Sequence, residues 1–90
     1  MRRRLILKIH GNVQGVGFRY NVKFFSKNHG IFGWVKNESD KSVAVVAEGD
    51  NDDLHQLLDY CYNGVLNAEI IAIDATWDRG VGDFNEFEIK

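Results

Sequence analysis

Gly11-Asn12-Val13-Gln14-Gly15-Val16-Gly17-Phe18-Arg19 joins an alternating apolar segment to one with helical spacing, and it has the composition of an anion cradle. Glycine tolerates positive φ and lets main chain approach a ligand closely, so at Gly15 and Gly17 successive backbone N–H groups can converge on one point. Arg19 adds a rigid cationic fork beside them, and a helix starting near Phe18 aims its N-terminus at the same place. The donor set suits a phosphoryl group better than a carboxylate, because three oxygens need more donors than two. Two nucleotide readings of these glycines fail. No Gly-Lys-Ser/Thr follows, as a Walker A loop requires, and Tyr20 stands where a dinucleotide fingerprint wants its third glycine.

On the N-terminal side, Leu5, Leu7 and Ile9 alternate with Ile6, Lys8 and His10, the period-two pattern of a strand with its more apolar face inward. On the C-terminal side, Phe18, Val22 and Phe25 recur at helical spacing, and Asn28-His29-Gly30 supplies a stop in which Gly30 can take the left-handed conformation. Residues 31–36 and 42–48 are β-rich runs separated by Asn37-Glu38-Ser39-Asp40-Lys41, which predicts a hairpin. Residues 50–53 then place acidic and capping side chains at a second helix start. Leu54, Leu57, Leu58 and Cys61 follow at i, i+3, i+4 and i+7, and Asn63-Gly64 ends the helix. Residues 68–77 are β-branched and apolar enough for another strand, and Phe87 and Ile89 alternate in a short closing one. The order βαββαβ plus a terminal strand predicts an α+β fold, an α/β sandwich with one mostly antiparallel sheet and two helices on one face.

Ninety residues allow one domain, 1–90, with a single core that buries roughly 60–65% of the unfolded chain's surface. Eleven basic and thirteen acidic side chains leave a formal charge of −2 and a pI near 5.8, which argues against a nucleic-acid surface, so a phosphate site has to be local. Cys61 is the only cysteine, which excludes an intrachain disulfide framework or a thiolate metal cluster and points to a reducing compartment. Arg2, Arg3 and Arg4 resemble the start of a signal peptide, but Lys8 and His10 interrupt the apolar run and no small-residue cleavage site follows. The expectation is a cytoplasmic protein that engages no membrane, and for this size a monomer is the simpler one.

Val13-Gln14-Gly15-Val16-Gly17-Phe18-Arg19, Gly33-Trp34-Val35-Lys36-Asn37, the strand from Val43 to Gly49 ending Val-Ala-Glu-Gly, and the C-terminal Phe87-Glu88-Ile89 together resemble the acylphosphatase family over almost the whole chain. The resemblance implies a ferredoxin-like fold and metal-independent hydrolysis of the carboxyl-phosphate bond of acyl phosphates to a carboxylate and inorganic phosphate, with no cofactor. Carried over by position, Arg19 matches the family's phosphate-binding arginine, Asn37 its water-orienting asparagine, and Gln14, Gly15, Val16, Gly17 and Phe18 the loop whose amides hold the phosphate. Inorganic phosphate or sulfate is then the expected competing anion. One position departs from the pattern. Lys41 replaces the glycine usual after the hairpin aspartate, and a non-glycine residue at positive φ costs about 1 kcal/mol, so hairpin stability is expected to suffer before chemistry does.

Such chemistry needs few groups. The carboxylate leaves without a proton, and phosphoryl transfer asks the protein mainly to position the nucleophile and stabilise charge on the equatorial oxygens. The carboxamide of Asn37 can both accept from and donate to a water. The runner-up function is a non-catalytic anion- or RNA-binding module of the same fold. Its RNA form lacks the Lys/Arg-Gly-Phe-Gly-Phe type of aromatic run, which Val16 to Tyr20 mimics only superficially. A third reading, the acylphosphatase-like domain that begins larger carbamoyl-transfer maturation proteins, expects a longer chain. His10, His29 and His55 show no ligand spacing and predict no metal site, with a weak case for His10 tuning phosphate protonation. Residues 50–53 lack the glycine and glutamate of a calcium loop. Cys61 reads as a buried thiol. Trp34 reads as cross-strand packing or, less simply, as the wall of an acyl pocket, Lys36 as a solvated or anion-steering charge, and Phe18 as the anchor of the first helix.

Overall fold

Leu5, Leu7 and Ile9 form the inner face of a central strand and are buried, while the residues between them stay outside. In the computed structural model, which describes residues 2–90, the chain runs β1 (Arg2–Asn12), α1 (Phe18–Asn28), β2 (Phe32–Asn37), β3 (Val43–Asp50), α2 (Asn51–Asn63), β4 (Glu69–Arg79) and β5 (Phe87–Ile89). The strands make one sheet in the order β4-β1-β3-β2-β5, antiparallel except for the β2–β5 pair. This is the predicted α+β architecture. Both helices cover one face, α1 over β2 and β5 and α2 over β3 and β1, and bury Phe18, Val22, Leu54, Leu57 and Cys61 against Leu5, Leu7, Ile9, Val35, Val43, Val45, Ala47 and Phe87. Burial of the valine, leucine, isoleucine and phenylalanine side chains among them, each worth roughly 1.5–3 kcal/mol, holds the two layers together.

Some boundaries lie further out than the sequence pattern marks. The arginine triplet belongs to β1, and β4 continues to Arg79, because a charged side chain on a strand can point into solvent while its main chain still pairs. At the start of α2 the expected cap differs too. Asp50 has the extended N-cap conformation (φ −69°, ψ 150°) but makes no side-chain cap hydrogen bond, and Asp52 and Asp53 in the first turn supply the favourable charge. Gly30 takes φ +66° just beyond α1, as the stop signal predicts.

Lys41 sits at φ +76°, so the hairpin keeps its left-handed position without glycine. The Lys41 amide donates to the Glu38 carbonyl at 3.2 Å and the Glu38 amide to Ser42 at 2.9 Å, which makes a tight turn closed by a bulge. Asp40 stabilises it locally. It accepts from the Ser42 hydroxyl and from the Ser42 amide at 3.0 Å, and its other oxygen pairs with Lys8 at 2.9 Å. These partners, Ser42 first and Lys8 second, hold its carboxyl well below the usual carboxylate range.

Among the described residues no helix covers the second face of the sheet, yet Glu48 on that face is fully buried. The segment between β4 and β5 folds over it: the amides of Val81 and Gly82 donate to Oε2 and Oε1 at 3.1 and 2.9 Å, and Arg4 donates from Nε at 2.8 Å and Nη2 at 2.7 Å. Burial alone would raise the Glu48 carboxyl, but the two amides and Arg4 outweigh it and the net displacement is downward. The stability it contributes is therefore complete above its ordinary value of 4.5 and is lost as pH falls through the lower folded value.

Two outcomes follow for stability. Glu48→Gln leaves Arg4 and the Val81 and Gly82 amides without their shared acceptor charge and costs on the order of 2 kcal/mol in urea denaturation at neutral pH, with a shallower loss of stability than wild type below about pH 4. Lys41→Gly relieves the positive φ and raises stability by about 1 kcal/mol, read as a higher urea midpoint at unchanged slope.

Candidate active site

The 13–17 connection leaves β1 and turns into α1 through two glycines at φ +78°, Gly15 and Gly17, the second of which is the helix N-cap. Phe18 is buried at 1% exposure, which pins the first helical turn to the sheet, and Arg19 follows it half-buried. Asn37 ends β2 on the same face as buried Val35, two residues earlier. β5 pairs parallel with β2, matching Ile89 to Val35, and so lays Ile89 beside the same spot.

These elements enclose a pocket of about 160 Å³ lined by Val13, Gly15, Gly17, Phe18, Arg19, Tyr20, Asn37 and Ile89. That volume is several times the roughly 30 Å³ share of one water. Arg19 Nη1 donates to the Lys90 carbonyl at 3.1 Å, which steadies the guanidinium across the pocket mouth and leaves its other N–H groups available. The Asn37 Oδ1 is buried and accepts no hydrogen bond from any described residue. A buried acceptor left unpaired costs about 1–3 kcal/mol, so this atom offers a firm seat to a small donor entering the pocket.

Of the residues read from the sequence, Gly15, Gly17, Phe18, Arg19 and Asn37 come together. Gln14 and Val16 do not line the pocket. Val16 packs against the core, and the Gln14 carboxamide donates to the carbonyls of Glu38 and Ser42, both at 2.9 Å. Gln14 thereby fastens the glycine loop to the hairpin that follows Asn37. Its side-chain donors are consumed, and only its main chain stays with the loop.

Position decides the remaining readings, against a pocket role for His10 and Trp34 and in keeping with a buried thiol at Cys61 and a solvated charge at Lys36. His10 lies on the open face of the sheet and pairs with Asp74 at 3.1 Å, so it does not touch the pocket. Trp34 is on that face as well, under the ammonium of Lys90 at 5.3 Å from the ring centre, and forms no pocket wall. Lys36 is exposed on it. Cys61 is buried in the core, where desolvation pushes its thiol up to about 12. The sequence did not place Val13, Tyr20 or Ile89 in the site. Ile89 reaches the pocket only through the parallel β2–β5 pairing, which no local pattern announces.

The acylphosphatase family model matches residues 5–89. The acylphosphatase of Deinococcus radiodurans is 38% identical over 86 residues, 96% of this chain and 98% of its own length. That of Roseiflexus sp. is 35% identical over 81 residues, 90% and 87% of the two chains. The crystal structure of the Bacillus subtilis acylphosphatase superposes with a TM-score of 0.91 at 33% identity, covering 100% of this chain and 99% of that one.

The chain belongs to the acylphosphatase family. It is thus a hydrolase of the carboxyl-phosphate bond in small acyl phosphates, with the ferredoxin-like fold. Within this acylphosphatase the Gln14 bridge is the structural link between loop and hairpin, since it spans 24 and 28 residues of sequence with one side chain. Gln14→Ala is expected to lower kcat/KM for benzoyl phosphate about tenfold, with most of the loss in kcat, because two hydrogen bonds that fix the relative position of loop and Asn37 are removed. Circular dichroism of the variant should match wild type.

Proposed function

We propose that Arg19 and the main-chain amides of residues 14–18 hold the phosphoryl group and that Asn37 aligns the attacking water. The observation that carries this reading is the meeting of Arg19, the two left-handed glycines and the unpaired Asn37 Oδ1 in one pocket. In the reaction the water oxygen bonds to phosphorus as the bond from phosphorus to the acyl oxygen breaks. The electron pair leaves with the carboxylate, and the water proton passes to a phosphoryl oxygen. Arg19 and the loop donors stabilise charge on the equatorial oxygens, and the carboxamide of Asn37 fixes the water in line with the leaving group. The leaving carboxylate is stable without a proton, so the scheme uses neither a general acid nor a metal.

Inorganic phosphate and sulfate fit the same donors and act as competitive inhibitors. Residues 1–90 work as one domain, and a monomer in the cytoplasm is the simplest state, in keeping with a single buried cysteine. None of the described helices is long and apolar enough to cross a membrane.

Arg19→Ala and Asn37→Ala are each expected to lose about a hundredfold or more in kcat on benzoyl phosphate while folding normally, the typical effect of removing one preorganised donor. Chelator leaves wild-type turnover unchanged in this scheme. Full activity of either variant removes that residue from it, and saturable phosphate binding without turnover by the wild type turns the reading to an anion-binding module.

A further inference from the structure

Tyr20, Lys23, Phe24 and Lys27 stand at i, i+3, i+4 and i+7, one continuous stripe on the outer side of α1. Tyr20 and Phe24 are 64% and 66% exposed, which is costly for aromatic rings with no partner. With Ile89 these residues line a groove of about 350 Å³. Tyr20 and Ile89 also line the phosphate pocket, so the groove opens directly from it.

The charge pattern is as specific. Arg19, Lys23 and Lys27 follow one another at i, i+4 and i+8, each about 6 Å further along the axis at 1.5 Å per residue. α1 contains no acidic residue, in a chain whose formal charge is −2. Elsewhere Arg4 is paired with Glu48 and Lys8 with Asp40, whereas Lys23 and Lys27 have no carboxylate partner among the described residues. Lys27 in the last turn suits the helix dipole, but Lys23 in the middle of the helix has no such reason to be there.

We propose that this groove is the acyl-group subsite, selecting acyl phosphates whose short acyl chain ends in a second anionic group, a carboxylate or a phosphoryl. The inference rests on the assignment of the phosphoryl group to Arg19. With that group on Arg19, an acyl chain leaving past Tyr20 and Ile89 runs along Phe24, and an anionic end one helical turn away meets the Lys23 ammonium, with Lys27 beyond it. Lysine offers a point charge without fixed geometry, so the row selects charge and reach rather than the shape of the terminal group.

The test compares kcat/KM for acetyl phosphate, succinyl phosphate and 3-phosphonopropionyl phosphate in wild type and in the double variant Lys23→Gln/Lys27→Gln, which keeps the side-chain length. The double variant should keep acetyl phosphate turnover and the inhibition constant of inorganic phosphate within about twofold, and lose about fivefold or more on the anion-ended substrates. For those substrates the wild-type advantage should also shrink with added salt. A larger loss on the phosphonate assigns a phosphoryl-ended acyl chain, and an equal or larger loss on succinyl phosphate a carboxylate-ended one. An equal loss on all three, or none on the anion-ended pair, overturns the subsite. Failure of the underlying phosphate assignment shows separately, as acetyl phosphate turnover that survives Arg19→Ala.

Discussion

Burial of Phe18 is the contact on which the site depends. Its ring is the first side chain of α1 and lies in the core, so the next residue, Arg19, must emerge at the edge of the sheet. Gly17 at φ +78° makes this geometry possible, since the chain has to turn from the loop into the helix within one residue of a fixed aromatic ring. A cation placed by the hydrophobic core needs little further ordering. The hydrogen bond of Arg19 to the Lys90 carbonyl then gives the guanidinium its direction.

The opposite wall of the pocket is located by sheet pairing. Asn37 ends β2 paired with Val43 of antiparallel β3, while parallel β5 flanks the same strand as far as Val35. The hairpin beyond it is tied back twice to the segment that carries the glycine loop. Lys8 on β1 pairs with Asp40, and Gln14 in the loop donates to Glu38 and Ser42. Loop and hairpin are therefore fastened to each other, and these contacts relate the position of Arg19 to that of Asn37. Such preorganisation is what a reaction limited by positioning and charge stabilisation requires.

Much of this was legible in the residues. Alternation at Leu5, Leu7 and Ile9 and the helical stripe at Leu54, Leu57 and Cys61 identify the inner face of a strand and a helix, because burial on one side is what produces those periods. The glycines and Arg19 announce an anion cradle. What stayed hidden depends on partners distant in sequence: the Gln14 side chain reaching 24 residues to Glu38, Ile89 brought in by a parallel pair, and Glu48 buried beneath residues 81 and 82 on a face without helices. Glu48 in an alternating strand reads as an ordinary solvent-facing carboxylate. Only the tertiary structure supplies the amides and the guanidinium that make its burial tolerable.

Lys41 illustrates how a local conflict is absorbed. The turn demands a left-handed residue, and the chain supplies one whose Cβ opposes that conformation. The surrounding hydrogen bonds over-determine the turn: the amides of Glu38 and Lys41 close it, and Asp40 holds both Ser42 donors while Lys8 holds Asp40. The strain is thus confined to one exposed residue. It stays away from Asn37 because the hairpin is anchored on the Asn37 side by Gln14, whose two acceptors, Glu38 and Ser42, bracket the strained position. A conformational penalty at the tip of a hairpin lowers the stability of the tip, and it reaches the chemistry only if the bracket opens.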